Sequence, residues 1–386
     1  MSKVPPLEAA LARKRTHPDF LDLTDSRFHQ NGFIPPFSVI RQAFEEYSQQ
    51  PFYTPDSKGR LSTRQTISRF YQELGFDLSP EDVLLTAGTS ESYQHLFQLF
   101  CPPGGTIVLP RPGYPLFEHL ASERQTAFYD LEFSRSWQID PHSLEAIPYA
   151  NLIVLISPNN PTGSCLNAES LEAVRTFCQR TGALWISDEV FDLFSGKEKL
   201  LRPGAFFNDL PGFTLNGISK RFACPDWKLS WIALTGPAPR RQDLAEALEF
   251  VNDLYLTATS FSQILAERLF ETLVPSQAVW QAHIDENRAW LSHWAAKLPV
   301  KGCFSLGGIY VPLQLEAPDD EDFVLRALEH ENLFLHPGFY YDFPPNEAWV
   351  VVSLLKEQGA FRQGLERLAR LLRPEETNSP PVVNAS

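Results

Sequence analysis

Three polar residues carry the chemistry this chain could do, and each stands at the end of an apolar run of strand length. Lys220 closes the run that begins at Phe213, Asp188 closes the run that begins at Ala183, and Asn160 lies just beyond Leu152–Ile156. A lysine amine condenses with an aldehyde to give an imine, a carboxylate keeps a pyridine nitrogen protonated, and an amide donates to a ring oxygen. Those are the parts needed to hold pyridoxal phosphate as a Schiff base and make it an electron sink. Taken singly, each has a plainer reading. Asn160-Pro161-Thr162-Gly163 is turn chemistry, Asp188-Glu189 can cap a buried strand, and Ser219-Lys220 can open a solvated loop. Taken together in this order they can converge, because ligands in open α/β sheets bind at the carboxyl ends of strands.

The elements that would position them alternate along the chain. Strand-like runs start at Val83, Thr106, Leu152, Leu184, Phe213 and Trp231, with helical-period segments such as Leu171–Cys178 between several of them. Near-continuous apolar strands separated by helices predict a mostly parallel sheet covered on both faces. A long helical stretch follows from Asp243 to Leu273, then a second unit with the run Trp349–Leu355 and a helix over Phe361–Leu372. At 386 residues, two domains are the default. The net charge of −14 argues against nucleic acid or an anionic membrane as partner. No run is long enough to span a bilayer and the start lacks a signal-peptide core, so a cytoplasmic protein is expected. Five dispersed cysteines and the scattered histidines show no disulfide or metal spacing, and no metal is expected.

Gly88, Thr89 and Ser90 follow a strand and open a helix whose apolar face reads as Tyr93, Leu96, Phe97 and Phe100. Such a start presents free N–H groups to an anion, although Thr89 or Ser90 would also cap any ordinary helix. Tyr114, in Arg111–Phe117, can offer a flat ring to a cofactor.

With these residues the chain resembles the fold-type-I, class I/II aminotransferases from about residue 21 to 372. Runs such as Asp22–Ser26, Leu85–Tyr93, Pro110–Glu118 and Leu215–Lys220 resemble a bacterial subgroup of them. The resemblance implies an α/β fold: a large domain with a mostly parallel sheet and a smaller α+β domain. It divides the chain into an N-terminal segment, 1–48, joining the small domain, a large cofactor domain, 49–285, a small domain, 286–373, and a disordered tail, 374–386. It implies that Gly88, Thr89, Ser90, Ser219 and Lys228 hold the phosphate and that Tyr114 stacks on the pyridine ring. Tyr53 would reach the phosphate of a neighbouring subunit in a homodimer. The implied reaction moves an amino group between an amino acid or amine and a 2-oxo acid. Alternatives are a carbon–sulfur lyase or another eliminating or cyclising enzyme on the same scaffold, and a non-catalytic cofactor-binding protein.

Three departures bear on that reading. Phe191 stands where relatives place a tyrosine that bonds the ring oxygen, which implies an imine protonated to higher pH. Gly217 replaces a common phosphate-binding serine. Val351 aligns with the arginine that grips the substrate carboxylate, a fork no apolar side chain reproduces. Arg27 and Lys356 are the candidate replacement cations.

Overall fold

The computed structural model describes residues 5–49, 54–196, 200–302 and 307–373. Strands are numbered in chain order: β1 Leu21–Asp22, β2 Val83–Thr86, β3 Thr106–Arg111, β4 Gln125–Glu132, β5 Gln138–Ile139, β6 Leu152–Ile156, β7 Leu184–Asp188, β8 Gly212–Gly217, β9 Ser230–Thr235, β10 Val300–Gly302, β11 Tyr310–Leu315, β12 Leu333–Phe334, β13 His336–Pro337 and β14 Ala348–Ser353. Eight of them form one sheet in the order β2-β9-β8-β7-β6-β3-β4-β5. The centre, β8-β7-β6-β3-β4, is parallel, and β9 runs antiparallel to both its neighbours.

Composition explains the centre. Strands β6, β7, β8 and β9 are buried at every position, as continuous Leu, Ile, Val, Trp and Phe runs require when helices cover both faces. Each fully buried aliphatic side chain there contributes about 1.5–3 kcal/mol. One covering helix, Ala168–Thr181, is capped by Asn167, whose side chain accepts from the Ser170 amide, and stops at Gly182, where φ is +76°. It buries Leu171, Val174, Phe177 and Cys178. Strand β4 has a mixed sequence and mixed burial, so it carries no apolar signature. The long helical stretch is two helices, Ala238–Asp253 and Ser260–Thr272, broken where Leu256 adopts φ +47°.

The second sheet, β10-β11-β14-β13, is antiparallel throughout. The N-terminal segment joins the same unit without entering that sheet: β1 pairs in parallel with β12 as a separate two-stranded sheet, and the helix Pro6–Lys14 meets Glu329 through Arg13 and Lys14. The same segment also reaches the large unit, where Glu46 pairs with Arg268 at 3.1 Å. The helix Val274–Ala295 runs unbroken through 285 and 286, so the two units share a continuous element. Tyr53 and the tail 374–386 lie outside the described residues.

Candidate active site

The carboxyl ends of β6, β7 and β8 lie side by side, with Ile156 opposite Asp188 and Asp188 opposite Leu215. Above them is a cavity of about 500 Å³. Gly88, Thr89, Ser90, Tyr114, Asn160, Asp188, Ser219, Lys220 and Lys228 all line it. They come from separate loops spread along the chain from residue 88 to residue 228, and the sheet brings them together.

Lys220 sits in the short helical turn Ile218–Arg221 that β8 feeds directly. Burial pushes its amine below the ordinary lysine range, against the pull of Asp188. A neutral amine is the nucleophilic form. Asp188, 7% exposed, accepts from the Val190 amide at 3.0 Å and from the Tyr93 hydroxyl at 2.9 Å. Burial pushes its carboxyl up to about 6, with the Val190 amide, the Tyr93 hydroxyl and Lys220 opposing.

Asn160 stands in the turn that ends at Gly163, where φ is +70° and the Gly163 amide donates to the Asn159 carbonyl at 2.8 Å. A Cβ on Gly163 would lie 2.2 Å from the Gly307 carbonyl oxygen, so only glycine admits this approach of the two units. The buried Asn160 Oδ1 has no partner within the protein, so this acceptor is open to a ligand donor. The helix Thr89–Phe100 begins at Gly88, which has no side chain to cap it, so its first N–H groups and dipole end face the cavity. Lys228 lines the cavity in a left-handed conformation, φ +47°, a conformation that costs a lysine about 1–2 kcal/mol.

The small unit and N-terminal segment supply an uncharged wall: Ser26, Tyr310, His336 and Tyr341. His336 Nδ1 lies 2.8 Å from the Tyr341 hydroxyl, and burial pushes the imidazole down to about 4, against Asp22. Burial likewise raises Tyr310 to about 12, opposed by a hydrogen bond with Ser26. Val351 lies beside this wall, paired with His336 and Pro312 and fully buried among apolar side chains. Phe191 lines the cavity with its ring edge-on to Tyr310 at 6.3 Å.

The structure does not bring the two expected substrate cations into the cavity. Arg27 forks onto Asp25, Nε to Oδ1 at 2.7 Å and Nη2 to Oδ2 at 3.0 Å, with its side chain 62% exposed. Lys356 turns to the same carboxylate at 4.0 Å. Asp25 is nearly buried, and a buried carboxylate draws in both cations.

Besides the four wall residues, two polar lining residues of the large unit escaped sequence reasoning. Tyr93 reads as part of an apolar stripe, yet a buried phenol needs a partner, and that rule alone could have flagged it. Ser230 faces Gly217 across the β8–β9 ladder. A Cβ on Gly217 would come within 2.4 Å of Ser230 Oγ, so the Ser230 hydroxyl fills the space that a residue 217 side chain would take.

These features fit pyridoxal phosphate: an amine for the aldehyde, a carboxylate for the ring nitrogen, an orphaned amide and an anion-ready helix end around one cavity. An open sheet of this order with an antiparallel companion sheet is the architecture of the fold-type-I pyridoxal-phosphate enzymes. The chain belongs to the family described as aminotransferase class I and II, whose sequence profile matches residues 18–355. It is 27% identical over 346 residues to nicotianamine aminotransferase 1 of Oryza sativa subsp. japonica, covering 84% of this chain and 69% of that protein. It is 28% identical over 327 residues to S-alkyl-thiohydroximate lyase SUR1 of Arabidopsis thaliana, covering 80% and 70%. The alanine aminotransferase of Pyrococcus furiosus superposes with a TM-score of 0.87 over 95% of each chain at 22% identity, a likeness of fold. The chain is a pyridoxal-phosphate-dependent transaminase by family.

Proposed function

We propose that this cavity moves an amino group between an amino acid or amine and a 2-oxo acid, with Lys220 as the covalent anchor and proton carrier. The observation that carries the reading is the meeting of Lys220, Asp188 and Asn160 in one cavity beside the start of the helix Thr89–Phe100. Pyridoxal phosphate, when bound, supplies the electron sink. Gly88, Thr89, Ser90, Ser219 and Lys228 hold its phosphate, and Ser230 adds a hydroxyl where residue 217 has none. Asp188 faces the ring nitrogen, and the Asn160 amide donates to the ring oxygen. Tyr114 supports the ring at the cavity mouth. Once a substrate amine has displaced it, the Lys220 Nζ would take the proton from the substrate's amine-bearing carbon and return it to the carbon on the other side of the nitrogen, a 1,3-shift.

Homodimerisation is part of this proposal: Tyr53 would complete a neighbour's phosphate site, and exposed Phe37, Phe44, Phe250 and Leu254 offer apolar surface for a subunit contact. A cytoplasmic location is proposed too; among the described residues no helix is long and apolar enough to cross a membrane. A second reading, elimination from a sulfur-bearing substrate, draws on the lyase relative and on the uncharged wall at Val351.

The test is a half-reaction: holoprotein mixed with a panel of amino acids and amines, without keto acid. Conversion of the bound cofactor to its amine form supports transamination. Release of ammonia and keto acid with the resting spectrum retained would support the lyase instead.

A further inference from the structure

Directly behind the cavity floor lies a buried quartet of charges that the chemistry above does not use. Glu189 follows Asp188 in the chain, and Arg221 follows Lys220. The Glu189 and Asp192 side chains are 0% exposed, Arg202 is 8% exposed and Arg221 13%. Arg221 Nη1 donates to both oxygens of Asp192, each at 2.8 Å. Arg202 Nη2 donates to Asp192 Oδ2 at 3.0 Å, and its Nη1 donates to Glu189 Oε2. The chain of contacts Glu189–Arg202–Asp192–Arg221 therefore begins one residue from Asp188 and ends one residue from Lys220.

The ends of the chain are themselves fixed. The Glu189 amide donates to the Leu215 carbonyl at 2.9 Å, which ties it to β8. The Arg221 guanidinium lies 4.1 Å from the ring centroid of Phe70, and the Arg221 carbonyl accepts from Gln277 at 3.1 Å. Stability alone does not account for four ions in this place. Each buried charge costs several kcal/mol to desolvate, and apolar side chains of like volume are often as stabilising. What a linked chain of hydrogen-bonded ion pairs adds is fixed distance and direction.

We infer that this quartet is a clamp that sets the separation and orientation of Lys220 relative to Asp188, with Asp192 and Arg221 as positioning residues. The inference rests on the proposed roles of Lys220 and Asp188. Lys220 itself rides on a single helical turn of four residues, which is marginal as a helix on its own and takes its tolerance from what surrounds it. The clamp supplies that tolerance from outside the turn.

The test uses holoprotein of the variant Arg221→Lys, which keeps the charge and loses the planar guanidinium that lies over Phe70 and directs Nη1 at both Asp192 oxygens. Cofactor content and thermal midpoint report folding. The apparent pKa of the Lys220-dependent absorbance band reports the geometry independently of turnover. Where wild type turns over a donor, kcat and KM are compared as well. The expected result is near-normal cofactor content, a band pKa displaced by roughly half a pH unit or more, and kcat reduced on the order of tenfold to a hundredfold, with KM within about threefold. An unchanged band and unchanged kcat in a folded variant would overturn the clamp. If Arg221→Lys does not fold, the uncharged pair Asp192→Leu with Arg221→Met carries the same measurements. Failure of both to fold would make the quartet a stability element and also overturn the inference. A wild type that binds cofactor but turns over no donor would count against transamination, and the band titration would still decide the clamp.

Discussion

At the scale of single residues, Asp188 is a carboxylate buried ahead of its ligand. Its pKa of about 6, against 3.8 unfolded, means that the folded protein binds this proton more tightly than the unfolded chain does. The stability it contributes is fully present below pH 3.8 and is lost as pH rises through 6. In cofactor-free protein this residue therefore lowers unfolding free energy by on the order of 2 kcal/mol between pH 4 and pH 7. Asp188→Asn should flatten that part of the urea midpoint profile; an identical profile would refute the burial argument. Tyr93 acts on the same group with the opposite sign, because its hydroxyl stabilises the ionised form. Tyr93→Phe should cost about 1–2 kcal/mol at pH 7.5 and much less at pH 4, where Asp188 is protonated. Equal losses at both pH values would assign Tyr93 to packing alone. Asp188, Asn160 and Lys220 were legible in the sequence because each polar group interrupts an apolar run. Tyr93 was not, because a phenol on a helical apolar stripe has the same pattern as a phenylalanine.

At the scale of elements, the site is a property of strand ends and a helix start. The six strand-like runs of the large domain all became strands because their burial on both faces makes them continuous in the sequence. Strand β4 was illegible for the opposite reason, since its partly exposed faces mix Gln, Thr, Ala, Phe, Tyr, Asp, Leu and Glu. The β8–β9 ladder makes a further device visible only in three dimensions: Gly217 and Ser230 share one space. Gly217→Ser alone should destabilise by about 1–3 kcal/mol through overpacking. Adding Ser230→Gly should recover part of the loss, the remainder coming from the Leu229 carbonyl oxygen, which stands 2.8 Å from the new Cβ. Thermal unfolding of the two single variants and the double variant measures this coupling. Strict additivity would mean that the two positions do not share space.

At the scale of the molecule, the cavity is shared between units. The large unit lines it with the residues proposed to anchor and hold the cofactor, and the small unit and N-terminal segment provide Ser26, Tyr310, His336 and Tyr341. That an apolar Val351 stands where the resemblance implies an arginine was readable in the sequence, but its consequence was not. Arg27 and Lys356 lie at opposite ends of the chain, yet Asp25 holds both, and which charge pairs with which depends on burial that no local pattern records. The wall that faces the substrate is uncharged instead. The central claim, that Lys220 binds pyridoxal phosphate covalently between Asp188 and the start of the helix Thr89–Phe100, has one direct measurement. Purified protein and a Lys220→Ala variant are each loaded with the cofactor, reduced with borohydride and mapped by peptide mass. A cofactor-mass adduct on the peptide containing Lys220, absent from the variant, together with a visible band that only wild type shows, is the predicted result. An adduct on another lysine, or a band that survives Lys220→Ala, would contradict the account.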